Sequence, residues 1–286
     1  MVWSCTLADE HIQVDFYKVI SAICYVFPSD AILFFINKIV NRPLSSVRPQ
    51  AYSIDLLETL CSKTVLMEHK KLGLNFLWDF TFQEALSRDD PAQVLKGVTS
   101  FSELFKSVLW ETADEYFKRM ADTLKERRHG YLVYKILSKY LKDFKAPPKP
   151  KEGEEQDADV GPLSVREIID TLQAKYDLIE VVINEFSHYM AQVREQVDLA
   201  ESKAAKDEKE FDVKAFGNTA IVDIFLHKDH VVERLDFLLA FVSNGSVKFG
   251  INQLSTLWED IITVNKIVAD QDLFFMWLRK STDHAL

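Results

Sequence analysis

The stretch SVREIIDTLQAKYDLIEVVINEFSHYMAQVREQV, residues 164–197, decides the fold class. Its apolar positions are Ile168, Leu172, Tyr176, Ile179, Ile183, Phe186, Met190, Val193 and Val197. The steps between them are three or four residues and average about 3.6, the period of an α-helix. Ser164-Val165-Arg166-Glu167 has the form of a capping box, in which each terminal side chain can bond the other's backbone N–H. The spacing predicts one helix of about 35 residues, or two set end to end.

Outward from this stretch the same period continues. Val231, Leu235, Leu238, Leu239 and Val242 mark a helix ended by Asn244-Gly245. Leu254, Leu257, Trp258, Ile261 and Ile262 mark the next, and Leu273, Phe274, Trp277 and Leu278 a last one capped by Asp270. Ala200 to Lys214 is highly charged and reads as frayed helix or loop. Towards the N-terminus, Val14 to Phe27 is helical and stops at Pro28, after which Ser29 or Asp30 caps a helix through Ile32, Phe35, Ile36 and Ile39. Ile54, Leu57, Leu60 and Cys61 follow, then Leu66 to Leu86, interrupted only by Gly73. Asp90-Pro91 is a cap with proline at the first helical position, and Ser100-Phe101-Ser102-Glu103 reads as a further capping box. Tyr131 to Phe144 closes this half.

One segment breaks the pattern. Pro147, Pro148 and Pro150 are followed by an acidic run to Asp159, with no large apolar side chain until Val160. Residues 145–162 therefore read as a disordered acidic, proline-rich linker between helical blocks 1–144 and 163–286. Only 8 Gly and 8 Pro occur in 286 residues, which suits long helices with few turns. The expected fold is all-α: an irregular armadillo/HEAT-like α-solenoid of stacked antiparallel helices.

Composition excludes several functions. The net charge is −10, which disfavours nucleic acid as a partner, since phosphate binding needs concentrated Lys and Arg. The short cluster Lys125, Arg127, Arg128 and His129 reads as a solvated helix end. No apolar run reaches the roughly 18–20 residues of a membrane span, and no signal peptide is visible. Cys5, Cys24 and Cys61 are odd in number and widely spaced, so a reducing compartment is expected: the cytoplasm, or the nucleus as well.

Candidate chemistry is sparse. A catalytic thiol needs a cation or a helix N-terminus beside it, whereas Cys24 and Cys61 sit on apolar helix faces and read as core. His227 and His230, with Asp223 and Asp229 nearby, have zinc-ligand spacing, but no third His or Cys pair is close, and they read as a solvated helix start. Glu180, Glu185 and His188 have acid/base character, yet fall off the apolar stripe and read as a solvated face. Phe34-Phe35 and Phe274-Phe275 place adjacent rings on different helix faces, with core as the default. Phosphate loops, a nucleophile elbow and H-E-x-x-H are missing from the sequence. No catalytic, cofactor-binding or metal-ligating residue is assigned, and no cofactor is expected.

From His230 onward the order of motifs carries a resemblance. His230-Val231-Val232-Glu233-Arg234-Leu235-Asp236-Phe237-Leu238 is followed by Gln253-Leu254-Ser255-Thr256-Leu257-Trp258, then by Asp270-Gln271-Asp272-Leu273-Phe274-Phe275-Met276-Trp277-Leu278. This run resembles the helical region upstream of the catalytic domain in the large fat-facets-like ubiquitin carboxyl-terminal hydrolases. The helix through Val181, Phe186, Tyr189 and Met190 is similar to the one preceding it there. The resemblance spans Leu163 to Leu286. It implies a non-catalytic scaffold segment of a larger cysteine deubiquitinase, with other domains of that chain and protein partners as its contacts. The family's catalytic Cys and His lie in glycine-containing boxes; Cys24 lacks the preceding glycine and the following asparagine, so that role does not pass to it. Two other readings stand beside it: an independent helical-repeat adaptor unrelated to ubiquitin, and a helical-bundle metalloenzyme using Glu185, His188, His227 and His230.

Overall fold

A computed structural model describes residues 10–41, 51–85, 90–145, 161–244 and 248–285, and they form thirteen α-helices and no strand. The chain divides into two compact units, Met1–Thr112 and Ala113–Leu286. The proline-rich stretch 146–160, most of the linker expected from the sequence, lies outside the described residues, as does Cys5.

The first unit holds α1 (Glu10–Ile23), α2 (Ser29–Val40), α3 (Ala51–Lys63), α4 (Met67–Asp79) and α5 (Pro91–Phe105). Each helix from α1 to α4 packs on its successor, its successor but one, or both, with α3 meeting all four others. That neighbour-only pattern is the packing rule of a solenoid. The core is apolar side chains at three- and four-residue spacing, including Ile36, Ile54, Leu57, Leu60, Leu74, Leu77, Phe101 and Phe105. Gly73 lets α4 approach α3 closely, for a Cβ there would lie 2.5 Å from the Cys61 sulfur. Lys70, almost fully buried, donates to the Ser107 carbonyl at 2.7 Å, placing a cation at the C-terminal end of α5 where the helix dipole favours it. Burial pulls the Lys70 ammonium below its ordinary range, with the Cys61 sulfur acting against that shift.

The second unit holds most of α6 (Trp110–Lys125), then α7 (Gly130–Asp143), α8 (Val165–Tyr176), α9 (Leu178–Lys206), the one-turn α10 (Val213–Phe216), α11 (His227–Asn244), α12 (Ile251–Trp258) and α13 (Val268–Ala285). Helix α11 lies at its centre, against α7, α8, α9 and α13. The stretch 164–197 is two helices. Asp177 adopts a left-handed conformation at φ 48° and breaks the run between Tyr176 and Leu178. Only half of the expected Ser164 box forms: Ser164 Oγ accepts from the Glu167 N–H at 3.2 Å, but Glu167 Oε2 reaches one residue further back and accepts from the Leu163 N–H at 2.8 Å.

Several expectations fail locally. Ser100-Phe101-Ser102-Glu103 opens no helix; it lies inside α5, whose start is capped by Asp90 Oδ1 accepting from Gln93 N at 3.2 Å. Ser102 Oγ instead bonds back to the Val98 carbonyl at 2.7 Å, the alternative use of a mid-helix serine. Neither Ser29 nor Asp30 caps α2, because Pro28 holds the cap position. Helix α6 (Trp110–Lys125) has no counterpart in the sequence reading, and α7 groups with the C-terminal helices although the sequence places it with the N-terminal block. Lys125, Arg127 and Arg128 do form an exposed helix end. Phe34 and Phe275 are about half exposed, while Phe274 is buried.

Candidate functional site: a sealed polar network around Arg234

The polar centre of the second unit is Arg234, 2% exposed, on α11. Its guanidinium grips Glu185 of α9 in a fork, Nε to Oε2 at 3.0 Å and Nη2 to Oε1 at 2.5 Å. Nη1 donates to the His230 carbonyl and to His230 Nδ1, both at 3.1 Å. The cation lies over the ring of Tyr189, 4.2 Å from its centroid, with the rings of Tyr134 and Phe186 farther off. Tyr134 of α7 donates its hydroxyl to Glu185 Oε2 at 2.9 Å. Gly130 at the first turn of α7 makes room for the carboxylate: a Cβ there would collide with Glu185 Oε1. The carboxylate thus faces the positive end of the α7 dipole.

Two relays extend this centre. An arginine nitrogen can only donate, so His230 Nδ1 must accept, and the ring is the neutral Nε2–H tautomer. Nε2–H then donates to Asp223 Oδ1 at 2.8 Å. Burial lowers the His230 pKa below its ordinary value, against the pull of Asp223. For Asp223 desolvation raises the pKa, but the hydrogen bonds from His230 and the Phe225 N–H, with the Arg234 cation behind them, outweigh it, and the net shift is downward. In the second relay, His227 Nε2 meets Asp270 Oδ2 at 2.8 Å and Nδ1 meets the Tyr189 hydroxyl at 2.9 Å. The same Asp270 oxygen accepts from Asn265 Nδ2 at 2.8 Å. Desolvation pushes the Tyr134 and Tyr189 phenols far above their ordinary range, so both stay protonated donors.

These positions correct the sequence reading. His227, His230 and Glu185 are not solvated; all three are buried. Glu180 is exposed as expected, and His188 is half-buried. A metal reading fails on chemistry: both Glu185 oxygens and both nitrogens of His227 and His230 already have partners. Among the described residues no group of three or more His, Cys, Asp and Glu is arranged to hold a metal ion. Asp270 is not a cap; it is a buried acceptor in the first turn of α13. Sequence reasoning missed Tyr134, Tyr189, Asn265 and Arg234. A signal was present for Arg234, which continues the stripe of His227, His230, Val231, Leu235, Leu238 and Phe241. Glu185 lies between Val182 and Tyr189 in the same way on α9. Opposite charges on two apolar stripes point to each other.

The Asp270–His227–Tyr189 relay has the order of a general-base triad, but His227 is 0% exposed and Asp270 1%, so no substrate reaches it. The two thiols among the described residues are sealed as well: burial raises Cys61 to about 12, and Cys24 is buried. A groove of about 710 Å³ between Glu210–Asn218 and the start of α13 carries both signs of charge, with Lys266 already held by Asp198 and Glu201 at 2.7 and 2.6 Å. Among the described residues, no helix is long and apolar enough to cross a membrane.

Thirteen helices among the described residues, no strand, and neighbour-on-neighbour packing through the first unit define an all-α armadillo-like solenoid. The family described as "UBP24/USP9X/USP9Y ARM repeat" matches residues 1–286, and the chain belongs to it: the armadillo-like repeat region of USP9X/USP24-type ubiquitin-specific proteases. The match extends over the N-terminal half, where the sequence offered no distinct motif. No curated protein and no solved structure matches the chain.

Proposed function

We propose that this chain is a non-catalytic scaffold of a large ubiquitin carboxyl-terminal hydrolase, working in the cytoplasm through contacts with other domains of that enzyme and with protein partners. The observation that carries this reading is the inward, hydrogen-bonded placement of His227, His230, Glu185 and Asp270, in a chain of the UBP24/USP9X/USP9Y ARM-repeat family. Chemistry needs a group that is both reactive and reachable, and the histidines, carboxylates and thiols of the network and the cores have polar partners or are closed off. Surface character supports contact as the mode of action. Trp258 and Phe275 stand exposed at 46% and 48% with ring centroids 6.1 Å apart, and Ile251, Val268 and Met276 are exposed on the same helices. Aromatic pairs left in water are the usual anchors of protein interfaces.

The test has two arms. The purified chain is incubated with a ubiquitin–fluorophore conjugate; no release is expected, and cysteine-dependent release would overturn the non-catalytic assignment. In cells, proximity labelling compares the chain with a Trp258→Glu, Phe275→Glu variant of unchanged Tm. The scaffold reading expects the variant to lose specific neighbours, and an identical neighbour set would remove the aromatic pair from the contact surface.

A further inference from the structure

We propose that His230 is a proton-operated latch: the Arg234–His230–Asp223 relay keeps the segment Gly217–Leu226 closed only while the imidazole is neutral, and a proton taken up at Nδ1 opens that segment while α9 and α11 stay folded.

The geometry leaves Nδ1 no way to carry a proton in place. It accepts from Arg234 Nη1 at 3.1 Å, and a second N–H there would face the first, cation against cation. Arg234 does not yield easily, since Glu185 holds it by two bonds and the His230 carbonyl by a third. The imidazole is packed against Tyr131 of α7 and Tyr189 of α9, at 4.8 and 4.7 Å between ring centroids. Its remaining tie is Asp223, whose side chain is 36% exposed and sits in the segment itself. Displacement therefore runs toward Asp223 and solvent. A solvent hydronium gives up the proton at that exposed edge and is left as water; one O–H bond breaks, one N–H bond forms, no bond between heavy atoms changes, and the relay gains one positive charge.

The groups facing His230 are Tyr131 from α7, Glu185 and Tyr189 from α9, Asp223 from the segment, and Arg234 on its own helix; His227 lies one turn before it and His129 near Asp223. Attraction from Asp223 and Glu185 favours the proton, burial and Arg234 oppose it, and the balance lies with the neutral ring. The ends of the segment are tied down, Gly217, Asn218 and Thr219 to the turn of α10 and the Leu226 carbonyl to the Asp229 and His230 N–H groups, and the Thr219 carbonyl accepts from the His227 N–H at 2.9 Å. Between Ala220 and Phe225 the ties are few: the Phe225 N–H to Asp223 Oδ1 at 2.9 Å and the Phe225 ring against Tyr131.

Amide hydrogen exchange on the whole chain, corrected for the intrinsic pH effect, reads the latch directly. Protection at Phe225 and His227 is expected to fall by up to about tenfold between pH 7.5 and 5.5, the span over which an imidazole of ordinary pKa 6.5 in the opened segment takes up its proton. Amides of Phe186 and Met190 in α9 should not change. Flat protection at Phe225 and His227, or a fall shared with α9, overturns the proposal. His230→Gln keeps a donor and an acceptor but cannot titrate, so its protection should be independent of pH; a retained slope refutes the latch. Asp223→Asn removes only a partly exposed charge and should keep the slope, whose loss would put the titration on Asp223 instead. The ¹⁵N shifts of His230 in the unsubstituted chain test the same point with no variant: protonation and loss of protection must share one midpoint, and separate midpoints overturn it.

Discussion

Replacing Glu185 by alanine leaves the Arg234 cation buried at 2% exposure with no counter-charge. Three hydrogen bonds vanish, two from Arg234 and one from the Tyr134 hydroxyl, and the phenol is stranded as a buried donor. Removing one member of a buried ion pair costs about 3–5 kcal/mol, mostly from the uncompensated charge. At roughly 2–4 °C per kcal/mol for a unit of this size, Tm should fall by ~6–20 °C. The paired replacement Glu185→Leu with Arg234→Met removes both charges and fills similar volume. Such replacements are commonly neutral or stabilising by about 1–4 kcal/mol, so the double variant should recover most of the loss. The assay is urea unfolding followed by tryptophan fluorescence, with Trp258 and Trp277 reporting on the second unit. A single variant costing less than about 1 kcal/mol, or a double variant no better than the sum of the singles, refutes the view that this pair is a closed, mutually dependent charge couple.

Four further outcomes are expected. Gly130→Ala drives a methyl into the Glu185 carboxylate and should cost about 1–3 kcal/mol, measured by the same unfolding curve and relieved in the Glu185→Leu, Arg234→Met background. The pKa values of His230 and Asp223 are both lowered on folding, so the unfolded chain binds more protons; stability is complete above the ordinary His value of 6.5 and declines as pH falls through the depressed value of His230, then again below 3.8 for Asp223. Urea midpoints that rise on going from pH 7 to pH 5 would contradict that sign. Alkylation of Cys61 at pH 8 should proceed only through opening of the first unit, because burial raises its thiol to about 12; labelling as fast as a free thiol would show the packing to be wrong. Asp90→Ala should cost about 1 kcal/mol through its lost cap, and circular dichroism on the isolated peptide 88–106 should show the matching loss of helix, while Ser100→Ala leaves that peptide's helix intact.

The helical period was legible because large apolar residues recur at steps of three and four, which is why Ile168 to Val197 reads as helix from its residues alone. The break at Asp177 was not, since the apolar spacing passes through it; only a left-handed residue accepted by the backbone marks the boundary. The Ser100 box misled because Ser and Glu three apart signal a helix start only when an element ends just before them, and here the Asp90-Pro91 cap had already begun one. The polar network was hidden by treating charged residues as solvent-facing. Arg234 and Glu185 sit on stripes that otherwise bury Leu235, Leu238, Val182 and Phe186, and a charge at such a position is tolerated only with a partner of opposite sign on a facing helix. The two relays depend on Asp223 and Asp270, which come from irregular backbone or a helix's first turn, and no period places those.

The Arg234 fork has a mechanical consequence. Helical arrays flex because apolar side chains at a helix interface slide past one another with little change in contact energy. A bidentate guanidinium–carboxylate bond is directional and loses alignment with a small displacement, as does the Tyr134 hydroxyl bond beside it. Under tension or torsion, α7, α9 and α11 therefore move as one stiff node. Strain within the second unit then collects away from this node, where helices meet on apolar faces alone.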